Sequence, residues 1–233
     1  MARARVLCLL VMMCSGCAKQ RECKETSDAI NAAVTRIEGM SLKGDDPAAM
    51  KKSVEDLGRA AEEEAERVGK LSITTEELKR EVESYTRMLQ EVAKVSKELQ
   101  TVLETAQKLE ESAKKSEKDV QDAIDALQRE CERGAAGCQE VALKMKEGPT
   151  GTEDEKTFLK ALKKFKTDLE TLRPADAKVA EAVAKLVKAV DGQAVLLDKA
   201  LKAEQDVDRT VEAMDKAVAP EDRIVDSINK LCL

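Results

Sequence analysis

The sequence predicts an all-α protein, an elongated antiparallel helical bundle with long coiled-coil-like helices. Three observations lead there. Aromatic residues make up 1% of 233 residues and Trp is absent, so buried area must come from Ala, Val, Leu, Ile and Met, which suit narrow seams between helices. Four prolines and ten glycines leave long stretches without a breaker. Apolar residues recur at alternating spacings of four and three along most of the chain, and no strand pattern or internal repeat interrupts them.

Residues 1–16 read as a signal peptide. Arg3 and Arg5 make a basic start, and "VLCLLVMM" is an apolar run too short to span a bilayer but suited to a secretory core. Ser15 and Gly16 then precede Cys17. A redox pair of Cys14 and Cys17 would need a scaffold that lowers a thiol pKa, and zinc would need two further ligands where the chain has no His and no second CxxC. Small residues leading into Cys17 resemble the lipobox of bacterial lipoproteins, although Cys14 stands where that family usually has Leu. The resemblance covers about the first 20 residues. It implies lipidation of Cys17, which becomes the mature N-terminus, and Ala18 behind it, rather than Asp, permits delivery to the outer membrane in a two-membrane cell. Losing residues 1–16 removes two arginines, taking the formal charge from -6 to -8. The expected organisation is a signal peptide (1–16), a lipidated tether (17–25) and one helical bundle domain (26–233).

Ile30, Val34, Ile37 and Met40 form the face of a first short helix. After "SLKGDD", Asp46 is the expected N-cap and Pro47 the first helical residue. Met50, Val54, Leu57, Ala61, Val68 and Leu71 mark the next helix. "SITTEEL" reads as a capping box of Thr74 and Glu77, with Ile73 and Leu78 as a hydrophobic staple. The turn makes the flanking helices antiparallel.

The following helix holds a heptad register from Leu78 to Cys131, about 80 Å at 1.5 Å per residue. Leu78, Tyr85, Val92, Leu99, Ala106, Ala113, Val120 and Leu127 take one seam position. Val82, Leu89, Ser96, Leu103, Glu110, Glu117, Ile124 and Cys131 take the other. The two glutamates point inward in this register, so the seam either opens there or slips onto Leu109. "CERGAAGC" ends the helix at Gly134 and Gly137. A short helix around Val141, Leu143 and Met145 follows, and Thr152 with Glu155 forms a second expected capping box. Phe158, Leu162, Phe165, Leu169 and Leu172 mark the next helix, ended by Pro174. Val179, Val183, Leu186, Val190, Leu197, Leu201, Val211 and Val218 mark another long one, with Gly192 inside it. Pro220 opens a last helix containing Ile224, Ile228 and Leu231.

No constellation carries catalytic chemistry. Without His there is no histidine base and no imidazole ligand. "AEEEAE" (61–66) reads as a solvated face, and Tyr85 as core. No metal or cofactor is expected, and the chain is not expected to be an enzyme. The net negative charge argues against nucleic acid, and no later stretch has the run of about 18 apolar residues that a membrane span needs.

Cysteine counting gives the last expectation. With Cys8 and Cys14 lost and Cys17 acylated, Cys23, Cys131, Cys138 and Cys232 remain, an even number that suits two disulfides in an oxidising compartment. Cys131 and Cys138 flank a tight turn and are expected to pair. Cys23 and Cys232 are expected to pair where the chain ends meet, the alternative being a bond between two chains. The whole pattern is similar to poorly characterised exported helical-bundle lipoproteins. That resemblance implies a bacterial envelope location, in the outer membrane or on a periplasmic face, with a membrane and envelope proteins as partners. Two functional classes stay open: a structural spacer or docking bundle, and a ligand-sensing bundle with a pocket near Ala106 to Glu117.

Overall fold

A computed structural model describes the backbone of residues 2–40, 47–149, 151 and 154–232, and side chains from residue 18 onward, residues 47 and 48 excepted. The expectations on the side chains of Cys8, Cys14 and Cys17, on Asp46 and on Thr152 lie outside the described residues. Among the described residues every regular element is an α-helix: α1 (Ala2–Glu38), α2 (Pro47–Gly69), α3 (Glu76–Glu132), α4 (Cys138–Lys146), α5 (Glu155–Thr171), α6 (Ala177–Val218) and α7 (Glu221–Cys232). The protein is an all-α helical bundle.

It forms two compact units. The first comprises residues 1–103 and 207–233, the second residues 104–206. In the first, α1, α2, the start of α3 and α7 run alternately up and down. Arg36 pairs with Glu64 while Arg67 reaches back to Ala29, which sets α1 antiparallel to α2. Gly58 faces Ser96 and Gly69 faces Thr86, which sets α2 antiparallel to α3. Ile30, Ala33, Val68, Leu78, Tyr85, Leu89, Ile224 and Ile228 fill this core. The α2–α3 crossing is close because its residues are small: a Cβ on Gly58 would lie 2.8 Å from Ser96 Cβ.

The second unit packs α4 and α5 against the end of α3 and most of α6. Leu127, Val141, Leu162, Phe165, Leu169, Val179, Leu186 and Val190 make its core. Lys163 pairs with Asp198 and Lys166 with Asp191, so α5 and α6 are antiparallel. The helix break at 133–137 uses Gly134 and Gly137 at φ 78° and 96°, a region other residues rarely adopt.

Four details differ from the sequence reading. The seam of α3 holds from Leu78 to Leu99, but Glu110 and Glu117 do not point inward; both are exposed, and Glu110 pairs with Lys114. The register slips onto Leu109, one of the two alternatives that the sequence left open, and the inward positions become Leu109, Ala113, Ser116, Val120, Ala123 and Leu127. Two successive three-residue steps, 103 to 106 to 109, shift the register there and spare the glutamates from desolvation. At the start of α5, Asp154 is the N-cap, accepting from the Thr157 N–H at 3.2 Å. Leu143 and Val211, apolar residues by which the sequence marked their helices, are 63% and 40% exposed. Finally, α3 begins at Glu76, so Thr75 rather than Thr74 holds the capping position, and the capping carboxylate comes from another helix.

Candidate anchoring site

That carboxylate is Glu22 on α1. It lies on the face that also carries Cys23, Thr26, Ala29, Ile30 and Ala33, so helix packing drives it into the first unit. Its Oε1 accepts from the Thr74 N–H at 3.1 Å and the Thr74 hydroxyl at 2.5 Å. Its Oε2 accepts from the Thr75 N–H at 3.2 Å and the Thr75 hydroxyl at 2.9 Å. The charge also sits at the positive end of α3. Hydrogen bonds from Thr74 lower its pKa most; burial opposes them, the Thr75 bonds reinforce them, and the carboxyl is held down at about 2. The side chain is 6% exposed, so its charge faces the protein rather than solvent.

The next residue makes the second fastening. Cys23 is bonded to Cys232, with Cα atoms 5.3 Å apart, which joins α1 to the last turn of α7. Residues 22 and 23 therefore tie α1 to the start of α3 and to the end of α7 at one end of the first unit. Two further links brace the same core. The Tyr85 hydroxyl donates to Glu221 Oε1 at 3.2 Å, linking α3 to the first residue of α7. Burial pushes the Tyr85 pKa far up, the Glu221 charge adding to it, and burial raises that of Glu221. Glu64 is buried and receives Arg36 Nη1 at 3.1 Å and Arg67 Nε at 2.6 Å. The reading of residues 61–66 as a solvated face is thus corrected at Glu64, which fills the place on the apolar face between Ala61 and Val68. Glu62, Glu63 and Glu66 are exposed as expected for such a face.

Cys131 and Cys138 are bonded within the second unit, Cα atoms 5.5 Å apart, across the turn that Gly134 and Gly137 make. All four cysteines whose side chains are described are in disulfides, which accords with an oxidising compartment. Tyr85 is fully buried. No group of metal-ligating side chains occurs among the described residues, and no helix there is long and apolar enough to cross a membrane. The hollows are grooves open to solvent. One follows α2 and α3 past Ala65, Ala93 and Lys97; another follows α3 and α6 past Ser116, Ala123 and Gly192 in the second unit.

The arrangement closes the chain on itself five and six residues after Cys17, and it directs an acidic charge inward. Sequence reasoning found the cysteines and missed Glu22, Glu64 and Glu221. For Glu22 and Glu64 a signal was present: an acid at a position that the spacing reserves for an apolar residue. No family model, no curated protein and no solved structure matches the chain.

Proposed function

We propose that this chain is a lipid-anchored protein of the bacterial cell envelope, acting as a spacer or docking bundle rather than as a catalyst. Cys17 carries the lipid, and the helical units extend the protein into an oxidising compartment. The observation that supports this most is the fastening of α1 by Glu22 and Cys23 to both α3 and α7, directly after Cys17. A pull on Cys17 passes within two turns of helix into three helices. A surface tether would otherwise fray, since isolated helix ends are marginal. The two disulfides and the signal-like first 16 residues point to export.

Cys17→Ser tests the anchor. The wild type should take up labelled fatty acid and stay on membranes through a high-salt wash, because two or more acyl chains anchor stably. The variant should take up none. Equal labelling of the variant would remove Cys17 as the attachment point.

A further inference from the structure

The structure assigns this end of the first unit a second membrane contact, an electrostatic one: a basic collar that fits anionic lipid headgroups. The inference rests on the Cys17 anchor. Residues 18–20 are exposed, whereas Glu22 and Cys23 are buried, so α1 emerges from the unit at about residue 21. Cys17 lies five residues before Glu22, or about 7.5 Å along a helix. An acyl group on Cys17 therefore brings this end of the unit within about 8 Å of the bilayer surface, the Debye length at physiological ionic strength. Charges there are felt by headgroups.

On the side of this end that α1 and α7 make, basic charges outnumber acidic ones. Lys19, Arg21, Lys24 and Lys230 are exposed on the two helices that the Cys23–Cys232 bond joins. Residues 18–25 and 228–232 hold two acids. Glu22 is turned inward onto Thr74 and Thr75, which removes its charge from the surface. Glu25 pairs with Arg21 at 3.6 Å, both side chains largely exposed. Glu76 and Glu77 are exposed in the first turn of α3 at this same end, and exposed Lys79 and Arg80 follow them directly, so that turn adds no net charge. The turn that closes this end adds half-exposed Leu71 and Ile73, apolar residues that suit an interface between water and lipid. Basic residues near an anionic leaflet gain about 1 kcal/mol each, or about fivefold in local population.

The test uses the acylated full-length product, purified and placed in two kinds of vesicle: phosphatidylcholine alone, and equal parts phosphatidylcholine and phosphatidylglycerol. A water-soluble amine reagent then labels lysines, mapped by mass spectrometry. In anionic vesicles Lys19, Lys24 and Lys230 should each label about fivefold more slowly than in neutral ones, with recovery in high salt. Lys52, near the start of α2 and so at the other end of that helix, should not change. In a Lys19→Gln, Lys24→Gln chain the protection of Lys230 should weaken while acylation persists. An acylated protein labelled alike in both vesicles would overturn the collar. A product with no acyl group would instead overturn the anchor on which it rests.

Discussion

Glu22 holds its charge inside the bundle only because four donors from Thr74 and Thr75 meet it. This makes stability pH-dependent with a definite sign. The folded pKa of about 2 lies below the ordinary 4.5, so the contribution is complete above pH 4.5 and is lost as pH falls towards 2. The depression corresponds to about 3 kcal/mol at most. Glu221 works the other way: burial raises its folded pKa, so its protonation at low pH favours the fold. Glu22→Gln removes one term and leaves the other. Urea unfolding at neutral pH should find the variant weaker by up to about 3 kcal/mol, with the gap closing as pH falls from 4.5 to 2. A gap that stays constant with pH would mean that the carboxylate is not held as described.

Among the helices, close approach and open space separate two glycines that look alike in sequence. Gly58 sits where α2 crosses α3, and an added Cβ would lie 2.8 Å from Ser96 Cβ. Gly192 lies within α6 with nothing inside 4 Å. Gly58→Ala should destabilise by about 1–3 kcal/mol, because a well-packed crossing cannot absorb a methyl group cheaply. Gly192→Ala should stabilise by about 0.5–1 kcal/mol through helix propensity alone. Thermal melts of the two variants check the pair, and equal effects would mean that the α2–α3 crossing is misplaced. The helices themselves were legible because the four-three spacing of Leu78 to Leu99 records one buried seam. The register shift at residue 106 was half legible: a strict heptad count placed Glu110 and Glu117 inside, and only desolvation argues them out. The α3 cap was not legible at all, since Thr74 and Thr75 find their partner 52 and 53 residues away. Local motifs such as a capping box describe neighbours in sequence, and a tertiary carboxylate can take their place.

At the scale of the molecule, the Cys23–Cys232 bond closes a loop spanning 209 positions. In the chain-entropy model so long a loop contributes about 5 kcal/mol as a ceiling, against about 2.5 kcal/mol for the Cys131–Cys138 turn. Replacing Cys23 and Cys232 together by Ser should therefore lower stability more than replacing Cys131 and Cys138. Hydrogen exchange in α7 should rise, because this helix of 12 residues would keep only its packing and the Tyr85–Glu221 link. Cysteine parity made the bonds legible. The way Glu22 reinforces one of them emerged only once α1 was seen beside α3.

The intact mass of the protein extracted from native membranes under non-reducing conditions tests the whole account most directly. The account predicts one species: residues 17–233, acylated at Cys17, lighter by four hydrogens for two internal disulfides. An unmodified N-terminus, an uncleaved chain, free thiols at Cys23 and Cys232, or a mass of two joined chains would contradict it.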